Sequence, residues 1–376
     1  MKNFLLTFLC LSLGLNVQAE FAPGDGVQRL REVLGKYFLI GTALNDRQTS
    51  GTDAKAEKII GEQFNAIVAE GCMKIGSIHP EENRYDFEAA DRLVRFGERN
   101  NQVITGHTLI WHAALAPWFC TNKEGKDVSP EVLKQRMKEH ITTVVQRYKG
   151  RIQGWDVVNE AFNDDGSYRD TPFYRILGEE FIPLAFQYAQ NADPDIELYY
   201  NDFNLYLPQK RAAVIRLVKE LRSRGLRIDA VGMQGHLWEK GPSVEAMEQA
   251  IVDLAKENVK VMVTELDLTA LPAPKKNLGG EVWVDFVYEK ELDPYRDGLP
   301  ADVEYKWTER MLSFFKLFLK HKEEISRVTL WGFSDGDSWR NGWPIKGRKD
   351  YPLLFDRNLN PKPVVDLIIK EAALYD

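Results

Sequence analysis

The pattern that decides the fold is clearest between residues 155 and 160, which spell Trp155-Asp156-Val157-Val158-Asn159-Glu160. A short apolar, β-branched run of this kind is typical of a buried strand, and here it ends abruptly in an amide and a carboxylate. Residues 261–267, Val-Met-Val-Thr-Glu-Leu-Asp, repeat the pattern. Working outward, we find comparable runs that end near Ala43, Ala69, Thr108, Glu160, Asp202, His236, Asp267 and Phe333. The sequence therefore predicts eight strands.

Helical patterns separate these strands. Residues 130–149, 210–221 and 244–258 each place their apolar side chains on one face with a 3.6-residue period, and Gly225 is a candidate stop for the second. Alternating strands and helices predict an α/β fold, a (β/α)8 TIM barrel that forms a single domain. A doubly wound open sheet is the alternative, because the same alternation also produces it.

The longest interruption of the pattern is the segment 270–302, after the seventh strand. It contains Pro272, Pro274, Gly279 and Gly280 and shows no clean period. Loops of this length in a compact domain are usually functional or mobile. The segment is therefore a candidate wall of a substrate cleft.

The N-terminus has the features of a secretory signal peptide. Lys2 precedes an apolar run over residues 4–15, and Val17-Gln18-Ala19 offers small or compact residues to a signal peptidase. We expect residues 1–19 to be removed and residues 20–376 to form the mature, exported protein, in the periplasm or outside the cell. The run is too short to span a bilayer comfortably, so no membrane anchor is expected. The alternative is a buried N-terminal helix.

Composition narrows the function classes. The 376 residues are 44% hydrophobic, which is enough for a large core, and carry a net charge of −7 with both signs mixed along the chain. Nothing in this distribution resembles a nucleic-acid-binding patch. Outside the predicted signal peptide there are two cysteines, Cys72 and Cys120, and the sequence leaves open whether they form a disulfide or remain free thiols.

Two carboxylates stand out at the predicted strand ends. In a barrel of this kind, active residues lie at the carboxyl ends of the strands. Glu160 and Glu265 end the fourth and seventh strands, which lie roughly across the barrel mouth from each other. Opposed carboxylates on either side of a cleft suit the cleavage of a glycosidic bond. The alternative, that each is an ordinary surface or capping residue, is weaker for two such residues than for one.

Histidines and tryptophans accompany the carboxylates. The imidazoles of His107, His112 and His236 could bind zinc, but neither a His-Glu-x-x-His motif nor paired cysteines with ligand spacing occur, so no metal is expected. The indole side chains at loop entrances could belong to the core. Their position beside polar residues favours stacking on a sugar ring. These tryptophans are Trp111, Trp331 and Trp339.

At this point the chain resembles glycoside hydrolase family 10, a xylanase family with a (β/α)8 fold. The resemblance runs from about residue 30 to the C-terminus and rests on several segments in the family's order. They are Gly106-His107-Thr108-Leu109-Ile110-Trp111-His112, Trp155-Asp156-Val157-Val158-Asn159-Glu160, Gln234-Gly235-His236, Thr264-Glu265-Leu266-Asp267 and Trp331-Gly332-Phe333-Ser334-Asp335.

The resemblance implies roles for the residues of the two carboxylate strands. Glu265 would be the nucleophile and Glu160 the acid/base, with their carboxyl groups ~5–5.5 Å apart if the enzyme retains anomeric configuration. Asn159 would contact the 2-hydroxyl of the attacked sugar. His236 would hydrogen-bond Glu265, and Asp267 would in turn hold His236.

Further residues would bind the rest of the substrate. His107, Lys74 and Gln234 would contact sugar hydroxyls, Trp111, Trp331 and Trp339 would wall the cleft, and Glu70 with Lys74 would grip the second sugar on the non-reducing side. Two positions depart from the family pattern. Gly71 stands where the family often has Asn, and the pair Ala113-Ala114 stands where it often has Ser-Gln.

The resemblance thus implies a retaining endo-β-1,4-xylanase, and the predicted signal peptide implies that it is secreted. Its partner would be xylan or a xylo-oligosaccharide, and we expect a monomer without a cofactor or nucleic-acid partner. A catalytically inactive, glycan-binding barrel is one alternative, which both glutamates and Asn159 disfavour. Another barrel glycosidase, such as a mannanase or cellulase, is the second, which the His-Thr-Leu-x-Trp-His segment disfavours.

Overall fold

The computed structural model describes residues 29–272 and 290–375. The predicted signal peptide, residues 1–19, and residues 273–289 of the candidate cleft wall lie outside these ranges.

A closed ring of parallel strands forms the centre of the protein. The first six strands pair in chain order. The sixth strand pairs with the eighth, and the ninth pairs with both the eighth and the first, which closes the ring. The strands are β1 (Leu39–Leu44), β2 (Ala66–Ala69), β3 (Val103–Ile110), β4 (Gly154–Asn159), β5 (Glu197–Asp202), β6 (Ala230–Met233), β7 (His236–Trp238), β8 (Lys260–Thr269) and β9 (Ile325–Leu330). Closure confirms the predicted (β/α)8 barrel and excludes the open sheet.

Helices cover the outside of this ring. The α-helices are Leu30–Val33, Asp46–Thr49, Ala54–Gln63, Ile75–Ile78, Glu88–Arg99, Pro130–Arg147, Pro172–Leu177, Phe181–Ala192, Pro208–Ser223, Val244–Ala255, Ala301–Lys320 and Pro363–Ala372. Short 3-10 segments are Leu34–Lys36, Gly178–Glu180, Lys290–Leu292, Trp339–Asn341 and Ala373–Tyr375. The three helices predicted from periodicity are all present, with ends that differ by a few residues.

Local chemistry accounts for these helix ends. Ser129 and Ser243 begin two of the helices, and their hydroxyls accept hydrogen bonds from the backbone N–H groups of Val132 and Ala246. Gly225, the predicted stop, adopts a φ of 72° just after the helix Pro208–Ser223. Val132 is an exception to the apolar face predicted for residues 130–149, because its side chain is 41% exposed.

The sixth and eighth strands of the barrel end earlier than predicted. β6 ends at Met233 and not at His236, because Gly235 turns the chain with a φ of 82°. His236 instead begins β7, which pairs with the far end of β8 so that His236 lies opposite Asp267. The eighth strand of the barrel, β9, ends at Leu330 and not at Phe333.

An apolar core holds the strand ends in fixed positions. One continuous cluster fills the space between ring and helices, while Tyr199, Ala230 and Met262 pack together in a separate cluster. Cys72 and Cys120 are both free thiols in this structure. Within residues 29–272 and 290–375, no helix combines the length and apolar character that crossing a bilayer requires.

Candidate active site

Both candidate catalytic glutamates lie at the carboxyl end of the barrel and are largely buried. Glu160 follows β4 and is 9% exposed, while Glu265 lies within β8 and is 5% exposed. The backbone N–H of Glu160 donates to the Asn201 carbonyl at 2.9 Å, and that of Glu265 donates to the Gln234 carbonyl at 2.7 Å. Neighbouring strands therefore fix the position of both residues through the backbone.

Neutral donors surround the Glu160 carboxyl. Trp111 Nε1 donates to Oε2 at 3.0 Å, and Gln234 Nε2 donates to Oε1 at 2.8 Å. Burial raises the pKa of Glu160, but His112, Arg169 and the two hydrogen bonds outweigh burial and hold the pKa below its ordinary value. Burial also lowers the pKa of His112 to about 4, so His112 is uncharged at neutral pH and its influence on Glu160 is then lost.

A charged environment surrounds the Glu265 carboxyl. Asn201 Nδ2 donates to Oε1 at 2.8 Å, and His236 Nε2 lies 3.1 Å from Oε2. Asn201 is itself fixed, because its Oδ1 accepts from the Thr264 hydroxyl at 2.6 Å. Each oxygen of the Glu265 carboxyl therefore has a polar side-chain partner that holds it in position.

His236 connects Glu265 to a second buried carboxylate. Its Nδ1 lies 3.0 Å from Asp267 Oδ2. Asp267 also accepts from Arg340 at 2.8 Å and from Trp339 Nε1 at 2.8 Å. Burial alone would lower the pKa of His236, but the Asp267 and Glu265 carboxylates raise it to about 9, so at neutral pH the imidazolium donates to both. Burial would raise the pKa of Asp267, but Arg340 and His236 lower it to about 2.

This network predicts a pH-dependent contribution to stability. The pKa of His236 is about 9 in the folded protein and its ordinary value is 6.5, so the stabilisation is complete below pH 6.5 and is lost as pH rises through 9. The shift corresponds to roughly 3 kcal/mol. We expect the free energies of unfolding of wild type and His236→Gln, measured in urea, to converge between about pH 6.5 and pH 9. A difference that stays constant over this range would contradict the prediction.

The remaining polar candidates lie around the two glutamates. The Asn159 amide lies 2.9 Å from Asn201 Nδ2 and 3.4 Å from Gln234 Nε2, so it lies between the side chains that bond Glu265 and Glu160. His107 is 2% exposed and its Nδ1 lies 2.9 Å from Asp156 Oδ2. Asp156 thus fixes the ring of His107 and leaves its other nitrogen as the one that can meet a ligand.

Lys74 and Glu70 extend the site to one side. Lys74 Nζ lies 4.7 Å from the centroid of the Trp111 ring and 5.9 Å from that of Trp331. Burial lowers the pKa of Lys74, against the opposing influence of Glu265, Glu70 and Glu160. Burial raises the pKa of Glu70, which accepts a hydrogen bond from Asn45 Nδ2 at 3.1 Å. The lysine therefore lies among the candidate carboxylates.

The three candidate tryptophans have different surroundings. Trp331 is 8% exposed, packs with Ala43 and Val68, and meets the His107 ring edge-on at 5.3 Å. Trp339 is half-buried beside the His236 ring at 5.1 Å. Trp111 and Gln234, expected to contact sugar, both bond the Glu160 carboxyl directly.

Several residues of the site carried no assigned role in the sequence analysis. Asn201 bonds Glu265, Asp156 holds His107, and Arg340 holds Asp267. The sequence does contain a signal for Asn201. Asn201 and Asp202 end the predicted fifth strand in the same way that Asn159 and Glu160 end the fourth. Arg340 lies in the 3-10 segment Trp339–Asn341, and no spacing in the sequence links it to Asp267.

Metal binding finds no support in the side-chain arrangement. Across residues 29–272 and 290–375, no cluster of three or more His, Cys, Asp or Glu side chains could hold a metal ion. His107 and His236 each face a carboxylate.

Comparison with known protein families identifies the barrel. The sequence model for glycosyl hydrolase family 10 matches residues 29–371, almost the whole of the described chain. The chain belongs to glycosyl hydrolase family 10. The predicted family is therefore confirmed, and the protein is a glycoside hydrolase.

Family 10 relatives resemble the chain over nearly its full length. It is 50% identical to endo-1,4-beta-xylanase A of Xylanibacter ruminicola, over 97% of this chain and 98% of the relative. It is 36% identical to a beta-1,4-xylanase of Dictyoglomus thermophilum, over 97% of each chain. Among solved structures, a family 10 endoxylanase from a sugarcane soil metagenome superposes with a TM-score of 0.87 at 43% identity, covering 91% of this chain and 99% of that one.

Proposed function

We propose that this family 10 protein is a secreted, retaining endo-β-1,4-xylanase that cleaves internal bonds of xylan by double displacement. The observation that carries the proposal is the contrast between two buried carboxyls at one barrel mouth. Glu265 faces the His236 imidazolium, whereas Glu160 faces the neutral donors Trp111 and Gln234. Carboxyl groups in such different environments suit a nucleophile and an acid/base.

In the first step, Glu265 attacks the anomeric carbon while Glu160 protonates the leaving glycosidic oxygen. The bond from the carbon to that oxygen breaks as the bond to the Glu265 carboxylate forms, which yields a covalent glycosyl–enzyme. Bound sugar excludes water from the cleft, and the ionised Glu265 opposes a second negative charge. Both effects favour the protonated form of Glu160.

In the second step, the ionised Glu160 removes a proton from water, and that water displaces Glu265 from the sugar. The two inversions give net retention. Glu265 loses its charge when it forms the covalent intermediate. His236 can stay in place at that stage, because it is still paired with Asp267, which Arg340 holds.

Substrate binding follows from the surrounding side chains. Asn159, between the two carboxyls, is placed to bond the 2-hydroxyl of the attacked sugar, a contact that strengthens as positive charge develops on the ring. Trp111, Trp331 and Trp339 offer apolar ring surface to the sugars. Lys74 and Glu70 supply polar contacts on the non-reducing side, and His107 supplies a contact to a sugar hydroxyl.

One preparation tested on three polysaccharides distinguishes the candidate functions. We expect reducing sugar from xylan and little or none from mannan or cellulose, with the Glu265→Ala variant as the inactive control. Activity mainly on mannan or cellulose would favour another barrel glycosidase. Binding of xylan without release of sugar would favour the inactive, glycan-binding alternative.

Export is part of the proposal. We propose that residues 1–19 are removed and that residues 20–376 act as a monomer outside the cytoplasm. N-terminal sequencing of the protein from the periplasm and medium tests this, and a mature chain that still begins at Met1 would contradict it.

The two departures from the family pattern predict a weakened second subsite on the non-reducing side. A Cβ on Gly71 would meet no atom within 4 Å, so the space is open, and Ala114 is exposed with a φ of 52°. Two lost hydrogen bonds would weaken the subsite by roughly 1–3 kcal/mol, about 5- to 150-fold in kcat/KM. We therefore expect poor activity on short linear xylo-oligosaccharides and comparatively better activity on decorated xylan.

The double variant Gly71→Asn with Ala114→Gln tests this subsite. We expect kcat/KM to rise on a linear xylo-oligosaccharide and to rise less, or fall, on a branched arabinoxylan fragment. The single variants are the controls, since they separate the effect of the side chain at position 71 from that at position 114. Unchanged kcat/KM on both substrates would mean that neighbouring groups or water replace the missing contacts.

Metal removal is expected to leave activity intact, because the two carboxylates suffice for the reaction. Dialysis against EDTA followed by a xylan assay should give full activity. Loss that zinc alone restores would instead assign a metal to the histidines.

A further inference from the structure

Behind Glu160 lie three fully buried polar side chains that take no part in the steps above. They are Tyr200 and Asp202 of β5 and Lys210 of the helix Pro208–Ser223, each 0% exposed. Lys210 Nζ and Asp202 Oδ1 form an ion pair at 2.8 Å. Removing two charges from water costs free energy that their mutual attraction offsets only when the geometry is good, so stability alone is a weak explanation for the pair.

The three side chains form a directed chain of contacts. The Tyr200 hydroxyl donates to Asp202 Oδ2 at 2.6 Å and accepts from the backbone N–H of Ala161 at 3.0 Å. Burial raises the pKa of Tyr200 well above its ordinary value, so the hydroxyl keeps its proton. Because that proton points to Asp202, the oxygen lone pairs remain for the Ala161 N–H.

Ala161 directly follows Glu160, whose backbone is in an unfavourable conformation. Glu160 has a φ of 57°, in the left-handed region that side chains with a Cβ rarely adopt, and such residues persist where their surroundings over-determine them. The Glu160 N–H is held by the Asn201 carbonyl at 2.9 Å, and the Ala161 N–H is held by Tyr200. Both peptides flanking Glu160 are thus fixed to β5.

We propose that Tyr200, held by Asp202 and Lys210, is a positioning residue that fixes the peptide after Glu160 and thereby aims its carboxyl at the leaving oxygen. The proposal rests on the acid/base role of Glu160 proposed above. The positioning role affects the reaction steps unequally, because only the steps in which Glu160 transfers a proton depend on where its carboxyl points.

The variant Tyr200→Phe removes the hydroxyl and keeps the ring, which packs edge-on to Phe162 at 5.9 Å. The buried Ala161 N–H then has to turn toward another acceptor, which displaces Glu160. We expect kcat/KM on xylan to fall roughly 10- to 100-fold, as for a misplaced general acid. On a 2,4-dinitrophenyl xylobioside, kcat/KM should stay within about twofold, since this leaving group needs no proton in the first step.

A second signature appears in the same aryl assay. Glu160 must act as base in the second step, so kcat should fall and KM should fall with it as the covalent intermediate accumulates. A residue that served folding alone would lower the activity on both substrates in proportion to the folded enzyme lost.

Tyr199→Phe is the matched control. Tyr199 is the neighbouring residue on the same strand, is 2% exposed, and donates its hydroxyl to Glu197 Oε2 at 2.6 Å, away from Glu160. We expect this variant to keep the wild-type ratio of the two kcat/KM values. Thermal melting of both variants reports any loss of fold.

If Tyr200→Phe does not fold, the double variant Asp202→Asn with Lys210→Met removes the charges that orient Tyr200 and keeps the side-chain volumes similar. It should lower kcat/KM on xylan at least about threefold more than on the aryl substrate. Equal losses on both substrates, or no loss, would overturn the positioning role. A wild-type enzyme that releases no sugar from xylan would instead overturn the proposed function.

Discussion

The variant Glu265→Ala is expected to lose turnover on every substrate, by at least about 10⁴-fold in kcat, because no other group can form the covalent intermediate. Glu265 is 5% exposed and bonded to Asn201 and His236, so truncation leaves a small cavity on the face from which the sugar is attacked. The loss should be the same for xylan and for aryl xylobiosides.

Glu265→Gln is the isosteric control. Glutamine keeps the volume and removes the charge, and we expect an equally inactive enzyme, which would assign the loss to the carboxylate and not to the cavity. Azide adds a positive test. A small anion that enters the cavity of the alanine variant would displace an activated leaving group once, giving the α-glycosyl azide by a single inversion. Substantial residual activity without azide would reject Glu265 as the nucleophile.

The variant Glu160→Ala is expected to lose nearly all xylan cleavage while sparing the first step on an activated aryl substrate. A general acid contributes typically ~10²–10⁴-fold, and xylan offers a poor leaving group that needs the proton. With 2,4-dinitrophenolate as leaving group, no proton is required, so a rapid burst of dinitrophenolate should precede a slow steady state. Pre-steady-state absorbance measures both phases.

Product chemistry and pH provide the controls for Glu160. Azide should rescue the alanine variant by attacking the covalent intermediate, giving the β-glycosyl azide, the opposite anomer from that of Glu265→Ala. The wild-type pH profile of kcat, which reports the enzyme–substrate complex, should be bell-shaped, and its high-pH limb, which reports loss of the Glu160 proton, should disappear in the variant. Equal loss of burst and steady-state activity would show that the two roles are wrongly assigned.

The fold was predictable because its signal is local and repeated. Each apolar run must bury its side chains, and each reaches the barrel mouth at its carboxyl end. The polar residues after Val158 therefore mark the end of β4, whereas those after Val263 lie within β8, which continues to Thr269. The sixth strand was placed three residues too far because Gln234 and Gly235 lie between two stretches that both pair with β8. A break of this kind depends on the backbone angle of one glycine, which composition does not reveal.

The contacts within the site were less predictable than its location. Strand ends indicated Glu160 and Glu265, but the bonds of Trp111 and Gln234 to Glu160 depend on side-chain directions set by packing. Tyr200 was invisible for a related reason. Its hydroxyl, on β5, accepts a hydrogen bond from the backbone N–H of Ala161, which follows β4. No sequence pattern marks a side chain that accepts from a distant peptide group.

The measurement that tests the central claim most directly is the anomeric configuration of the first sugar released from xylan. Proton NMR, recorded within the first minutes of digestion by wild type, distinguishes the two anomers at the new reducing end before mutarotation mixes them. Double displacement through Glu265 predicts that the β-anomer appears first and the α-anomer grows in later. An α-anomer formed first would mean a single displacement by water, and would contradict the roles proposed for both glutamates.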